Sequence, residues 1–190
     1  MIVGVTGQCD QRVALIAGIP DSQLTGTGFG GDDPVYGYSR SRLNTQRGDD
    51  GNNGRGAWSV DENTVGEYIQ ADFGQLQRIQ MIATQGRADW SQWVTSYKLA
   101  YSTDNVTYHY ITRANGCDRV FSGNSDKSTV VEHSFNVILA RFVRLYPQTH
   151  HGHMALRWEL YGCIYNGKAP EVYTDAYECI SSWRCTCNSI

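Results

Sequence analysis

Three residues suited to ligand recognition occur close together in one short segment, Gly86–Gln92 (GRADWSQ). Arg87 and Asp89 carry opposite charges, and Trp90 adds a large aromatic ring beside them. An indole face can stack on the C–H surface of a sugar or pack against a protein, while planar polar groups bind hydroxyls. No rule of core packing requires this set in a turn. The segment therefore predicts a recognition loop with Arg87, Asp89 and Trp90 as contact residues.

A second polar segment, residues 44–56, offers two further kinds of chemistry. Asp49, Asp50, Asn52 and Asn53 supply hard oxygen atoms at close spacing, which a calcium ion accepts together with backbone carbonyls. The EF-hand pattern is absent, and a solvated turn explains the same residues equally well. Arg47-Gly48-Asp49 is an integrin-type tripeptide in a glycine-rich loop, although three residues make a weak motif.

Histidines are the remaining candidates for catalysis or zinc binding. His150, His151 and His153 can place two imidazoles on one side of an extended segment, with Glu159 downstream. An exposed histidine loop is the simpler interpretation, and no ordered nucleophile signature such as G-x-S-x-G accompanies it. We therefore expect no enzymatic activity.

The elements that position the Gly86–Gln92 loop alternate in the manner of β-strands. One apolar face runs through each flanking segment, in Ile79, Met81 and Ala83 before the loop and in Tyr97, Leu99 and Tyr101 after it. Trp93 opens the second segment, and we expect it in the core. Further short strands are predicted at 68–73, 107–112, 128–135, 140–146 and 155–161. This spacing, without a long helical pattern, predicts an all-β sandwich or barrel.

Composition restricts the partners and the compartment. The chain has 190 residues and a formal net charge of −3, with scattered cations, which argues against nucleic acid and gives an anionic membrane little attraction. Six cysteines without zinc-ribbon spacing favour disulfides and an oxidising, extracellular environment. The Asn105-Val106-Thr107 sequon, where a hairpin turn is expected, makes Asn105 a predicted glycosylation site.

Several short sequence motifs, which occur in a fixed order along the chain, indicate a resemblance to a known domain family. They are DSQLT at 21–25, SRLN at 41–44, AW at 57–58, EYIQADFG at 67–74, TQGR at 84–87, WVTSYKL at 93–99, VFSGN at 120–124, ARFVRLYP at 140–147 and LRWELYGC at 156–163. Together they resemble the discoidin domain, also called the coagulation factor V/VIII type C domain, from about Cys9 to Cys163. Within the family, residues 86–105 and 151–153 look most like the slime-mould discoidin lectins.

The resemblance implies an eight-stranded, jelly-roll-like β-barrel or sandwich with a disulfide between Cys9 and Cys163. The extent of the resemblance and a change of composition after Cys163 divide the chain into an N-terminal lead (1–8), a discoidin domain (9–163) and a cysteine-rich tail (164–190). The N-terminus is too short and too weakly apolar for an intact signal peptide, which a removed signal or an excised fragment explains equally well. The resemblance also implies binding loops at one end of the barrel, at 25–38, 46–56 and 86–92, with 148–153 beside them. A further expectation is that Cys117 joins a tail cysteine, or joins another chain to make an oligomer.

Family members bind glycans, phosphatidylserine membranes, collagen or protein C-termini, and the fold does not choose among them. The loop residues favour glycans or glycoproteins of the cell surface or matrix. The predicted contact residues are Phe29, Tyr36, Arg40, Arg87, Asp89, Trp90, His150 and His151. Collagen or an integrin is the alternative partner. Isolated aromatic tips flanked by acids argue against lipid, and Asn63 in place of an aspartate argues against binding of a C-terminal arginine. No cofactor is required, and calcium stays an open alternative.

Overall fold

A computed structural model of the chain describes residues 12–28, 35, 37–51 and 53–164. Strands dominate this part of the chain, with two short 3-10 turns at Asp21–Gln23 and Tyr38–Ser41. The strands are β1 (Val13–Ala14), β2 (Leu24–Gly26), β3 (Trp58–Ser59), β4 (Ile69–Gln85), β5 (Trp93–Ser102), β6 (His109–Tyr110), β7 (Phe121–Ser122), β8 (Val131–His151) and β9 (Ala155–Ile164).

Two long strands, β4 and β8, form the centre of the fold. All strand pairs are antiparallel, and the main path through the sheet runs β1-β9-β4-β8-β5-β6. The first part of β4 pairs with β2 and with residues 142–145 of β8, whereas its second part pairs with β9 and with residues 131–140 of β8. A register shift between Asp72 and Gln77 separates the two parts. Each long strand therefore contributes to two sections of the sandwich.

The core fills the space between these sections. Trp58, Trp158, Tyr97 and Phe121 are among its largest fully buried side chains. Strand β9 is buried on both faces, because Arg157 and Glu159 alternate with its apolar residues and are buried as well. Burial raises the pKa of Glu159, while the backbone amides of Ile16, Ala17 and Leu160 donate to its carboxylate. Polar groups inside β9 thus link the core strand to neighbouring segments.

The all-β, jelly-roll-like sandwich prediction is confirmed, and four of its details are corrected. The described part of the chain has nine strands rather than eight, and its sheet is not closed into a barrel. The predicted strands at 68–73 and 79–84 are one continuous strand, as are those at 128–135 and 140–146, because bulges bend the backbone without ending it. One bulge falls between Ile79 and Met81, so that Ile82 is buried and the simple alternation fails.

The predicted domain boundaries and disulfides stay predictions. Cys9 and the tail cysteines lie outside the described residues, as do Phe29, Tyr36 and Asn52. Within the described ranges, no helix has the length and apolar character needed to cross a membrane.

Candidate functional site: the loop end of the sandwich

The Gly86–Gln92 loop is a compact turn between β4 and β5. The backbone amide of Arg87 donates to the carbonyl of Gln92 over 2.9 Å, which closes the loop at its base. The amide of Gln92 donates in turn to the carbonyl of Trp90, also over 2.9 Å. Trp90 lies in this turn with 60% of its surface exposed. The loop therefore presents one large aromatic side chain on a short, internally bonded backbone.

The two charged residues of the loop bind each other instead of facing solvent. Arg87 donates from Nε to Oδ1 of Asp89 over 2.8 Å and from Nη1 to the Gln92 side-chain carbonyl over 2.8 Å. Both side chains of the ion pair are below 10% exposed. Burial alone would raise the pKa of Asp89, but hydrogen bonds and the charge of Arg87 hold it below its ordinary value. The pair predicted to contact ligand thus supports the loop from within.

Residues 44–56 pack against this loop through Gly56. The amide of Gly56 donates to Oδ1 of Asp89 over 3.0 Å, and the carbonyl of Gly56 accepts from the amide of Ala88 over 3.0 Å. A Cβ atom at residue 56 would lie 2.8 Å from the Ala88 methyl group, which is closer than carbon atoms pack. A glycine is therefore required where the two backbones meet.

Arg40 anchors the 44–56 loop from below. It is buried and donates from Nε to the carbonyl of Arg55 over 2.7 Å, from Nη1 to Oδ1 of Asp49 over 2.6 Å, and from Nη2 to the carbonyl of Gln46. The structure thus gives a loop-holding role to a residue predicted to contact ligand.

The same contacts occupy the predicted calcium ligands. Asp49 binds Arg40, Oδ2 of Asp50 lies 3.4 Å from the Arg40 guanidinium, and Oδ1 of Asn53 accepts from Arg47 over 3.3 Å. A cation of the protein itself therefore lies beside the carboxylates that a calcium ion would need. The described residues contain no group of three or more His, Cys, Asp or Glu side chains arranged to hold a metal ion. The calcium prediction gains no support from this arrangement.

Arg157 was not predicted as a site residue, yet it joins three loops. It is 2% exposed and donates to the carbonyls of Thr45 over 2.9 Å, Gly86 over 2.7 Å and Lys127 over 2.6 Å. Burial lowers the pKa of its guanidinium. The three carbonyls belong to the 44–56 loop, the Gly86–Gln92 loop and the segment 123–129. A charged residue inside the apolar run of β9 was the signal in the sequence that could have found it.

The histidine turn lies beside the Gly86–Gln92 loop. His151 stacks on Trp93 with ring centroids 4.2 Å apart and planes inclined by 9°. Trp93 is only partly buried, so its predicted place in the core is wrong. His153 hydrogen-bonds through Nε2 to the carbonyl of Val60 over 2.8 Å, and His150 is partly buried opposite Val94. His151 is the exposed histidine of this turn that also contacts an aromatic ring.

The predicted contact residues that the structure describes therefore divide into three groups. Trp90 and His151 are exposed, His150 is partly buried, and Arg40, Arg87 and Asp89 are engaged with other parts of the chain. Phe29 and Tyr36 lie outside the described residues, although the neighbouring Val35 carbonyl accepts a hydrogen bond from the amide of Arg55 over 2.8 Å. A ligand at the described surface can therefore contact the exposed Trp90 ring, the His151 ring and the backbone of the loops.

The sequon lies in a different turn, after β5. Asn105 is exposed with a φ of 64°, and its side-chain oxygen accepts a hydrogen bond from the Tyr108 hydroxyl over 2.6 Å. Glycosylation there stays a prediction.

Comparison with known proteins assigns the family. The family model described as F5/8 type C domain matches residues 36–160. Discoidin-2 of Dictyostelium discoideum is 37% identical over 129 residues, which cover 66% of this chain and 49% of that protein. Retinoschisin of Mus musculus is 37% identical over 128 residues, covering 66% of this chain and 54% of the relative. The chain thus spans about half the length of these relatives.

Solved structures agree with this family. Wild-type discoidin II from Dictyostelium discoideum gives a TM-score of 0.67 at 32% identity and covers 83% of this chain and 60% of that chain. A family 32 CBM from C. perfringens, solved in complex with galactose, gives a TM-score of 0.52 at 13% identity, covers 80% of this chain and 98% of its own, and is similar in fold alone. On the match over residues 36–160 and these relatives, the chain belongs to the F5/8 type C, or discoidin, domain family.

Proposed function

We propose that this domain is a non-enzymatic recognition module that binds glycans of the cell surface or matrix through its loop end. The observation that carries the proposal is the 60% exposure of Trp90 on a loop held by a buried ion pair. The flat face of an exposed indole is a surface on which the C–H side of a sugar ring can stack. A loop backbone held by internal hydrogen bonds also loses little conformational entropy when it binds.

The polar part of the proposed site comes from neighbouring groups rather than from the loop's own charges. His151, supported by its stack on Trp93, offers a ring nitrogen as donor or acceptor. Because Arg87 and Asp89 are already paired, they act here as positioning residues beneath Trp90. The fold is one on which a galactose complex has been solved in a distant protein. A single shallow sugar site binds weakly, so oligomerisation would raise its useful affinity.

A glycan array with the whole chain, run with and without calcium, tests this proposal. We expect saturable binding that Trp90→Ala reduces at least about tenfold, the usual scale for an aromatic platform that supplies one to two kcal/mol or more. Calcium should make no difference if Arg40 stays paired with Asp49. Tyr110→Ala is the matched control, because Tyr110 is an exposed aromatic on β6 rather than on the loop end. Equal binding by the wild type and Trp90→Ala would refute the proposed site.

Matrix-protein binding is the competing function for the same surface, because exposed tryptophan is also common at the centre of protein interfaces. The contacts of Asp49 disfavour integrin binding through Arg47-Gly48-Asp49. Its Oδ1 accepts from Arg40 over 2.6 Å, and its Oδ2 accepts from the amide of Gln46 over 2.8 Å. An integrin would have to displace both bonds. Adhesion of integrin-bearing cells that Asp49→Ala abolishes, or collagen binding that Trp90→Ala abolishes, without any glycan signal, would favour this alternative.

We also propose an extracellular location. Six cysteines, the Asn105 sequon and the family of the chain support it. Mass spectrometry of protein secreted by eukaryotic cells tests the cysteines and the sequon, since it should find oxidised cysteines and a glycan on Asn105. Fully reduced cysteines in freshly isolated protein would contradict this location.

A further inference from the structure

A groove of about 660 Å³ lies away from the loop end, beside residues 134–138 of β8. Its other wall is a short hairpin, residues 111–119, in which Thr112 pairs with Asp118. The amide of Arg119 donates to the carbonyl of Ile111 over 2.8 Å, and the amide of Arg113 donates to the carbonyl of Cys117 over 2.8 Å. This volume is within the range of ligand-binding clefts, about 300–1,000 Å³.

The charge in this groove has one sign. Arg113 and Arg119 both line it, and none of the described lining residues is acidic. Arg113 is exposed and has no ion pair within the described part of the chain. Arg119 lies 4.3 Å above the ring of Phe121 and donates from Nη1 to the carbonyl of Ser134 over 3.0 Å. Two guanidinium groups on one wall therefore favour an anionic ligand, and their planar shape suits carboxylates.

The β8 side of the groove is irregular and mixed in polarity, with Phe135, Val137 and Ile138 beside Ser134 and Asn136. Between Ser134 and Ile138, β8 runs two residues longer than the facing part of β4, so that residues 135–137 bulge out of the ladder. Phe135 packs edge-to-face on Phe121, and Val137 is 37% exposed. A bulge of this kind hinders the addition of a regular strand at the sheet edge. Side chains, rather than a backbone ladder, would recognise the ligand, which then needs carboxylates interspersed with apolar or aromatic groups.

We propose that the groove binds residues 171–178 of this same chain. Their sequence, EVYTDAYE, has three carboxylates separated by valine and two tyrosines, and no cation. The distance from the end of β9 to the groove is short enough for this segment to reach it. Ile164 at the end of β9 pairs with Gln77 of β4, which pairs with Ala140 of β8. Two strand spacings are about 10 Å, whereas the intervening residues 165–170 can span about 20 Å.

The cysteines support the same arrangement. Cys117 lies opposite Arg113 in the hairpin that forms one wall of the groove, and Cys179 immediately follows the acidic segment. A disulfide between them would fasten the segment at the rim beside the two arginines. Because both partners belong to one chain, a weak contact is sufficient to fill the groove. The result would be a C-terminal extension held in a fixed direction on the side of the sandwich, independent of the sugar site.

Hydrogen–deuterium exchange on the whole, oxidised chain tests this proposal. We expect peptides covering 171–178 to exchange about tenfold faster in Arg113→Glu than in the wild type, the order expected for loss of one partly buried charge pair. Arg47→Glu makes the same charge change in the 44–56 loop and should leave this exchange unchanged. Adding Glu171→Lys and Glu178→Lys to Arg113→Glu should restore protection. Exchange of β5 peptides confirms that each variant is folded, and Arg113→Glu alters a side chain with no structural partner.

Three results would overturn the proposal. The first is identical exchange of 171–178 in the wild type and Arg113→Glu. The second is protection that disappears on dilution, which would assign the groove to the segment of a second copy. The third is a non-reducing peptide map that joins Cys117 to another chain instead of to Cys179. Glycan binding is measured separately, so that a failure of the groove proposal leaves the proposed function of the loop end intact.

Discussion

Arginines at the loop end and arginines beside the groove are used in opposite ways. Arg40, Arg87 and Arg157 are 5%, 7% and 2% exposed, and each donates to carbonyl or carboxylate oxygens of the surrounding loops. Arg113 is exposed, and Arg119 uses one nitrogen atom on a single carbonyl while its guanidinium covers a phenylalanine ring.

The buried arginines hold the loops of the candidate site in place, whereas the arginines beside the groove are available to a partner. Loops without regular secondary structure have many backbone carbonyls that need donors, and a guanidinium can satisfy several of them at once. At the loop end this requirement occupies Arg40, Arg87 and Arg157, so these three cations are not available to a ligand. In the groove, the hairpin forms backbone hydrogen bonds of its own, Arg119 donates to one carbonyl of the bulged strand, and the charge of Arg113 stays accessible.

The largest effect should come from Arg157→Met. Removing a buried guanidinium leaves three carbonyls without their donor, and we expect the free energy of unfolding to fall by about 3–5 kcal/mol. Arg113→Met should change it by less than about 0.5 kcal/mol. Urea denaturation of both variants makes the comparison. Similar small effects for the two would show that Arg157 does not hold the loops together.

Asp89→Asn should have the next largest effect, about 1–3 kcal/mol at neutral pH, because it leaves Arg87 buried beside an uncharged partner. The pKa of Asp89 is lower in the folded state than in the unfolded chain. Its contribution is therefore complete above the unfolded pKa of about 3.9 and is lost as pH falls through the lower, folded pKa. The difference in unfolding free energy between wild type and variant should shrink from about pH 5 to pH 2. A difference that is constant over this range would contradict the ion-pair assignment.

His151→Ala should have a smaller effect, about 0.5–1.5 kcal/mol, through loss of the stack on Trp93. His151→Phe keeps a ring over Trp93 and should retain most of the stability while losing the polar nitrogen. Thermal unfolding measures the first effect and glycan binding the second. If the phenylalanine variant is as unstable as the alanine variant, stacking is not what His151 contributes.

Trp90→Ala should change the unfolding free energy least, by less than about 0.5 kcal/mol, because its side chain is mostly in solvent. The same substitution should reduce glycan binding at least about tenfold. Measuring both on one preparation sharpens the contrast between residues that build the loop and the residue that the loop presents. A loss of stability above about 2 kcal/mol would indicate that Trp90 packs against the protein instead.

Much of the fold followed from local patterns. Alternation located β5 and β9, and Leu156, Trp158 and Leu160 are buried as their spacing requires. The merging of predicted strands into β4 and β8 was missed, since a bulge interrupts the alternation of a strand in the same way as a turn does. Trp93 was misplaced because an apolar residue at the start of a strand can face the core or the surface, and its aromatic partner is far away in the sequence.

The sequence by itself determined the family, the all-β class and a loop that carries Trp90 between two strands. The family depends on short motifs, and the class and the loop depend on the periodicity of the strands. Only the tertiary structure decided what the charged residues do. Whether Arg87 faces a ligand or Asp89 depends on burial and on Gly56, which approaches from another loop. Arg157 binds three loops for the same reason: its carbonyl partners are distant in sequence and meet only when the sandwich is assembled.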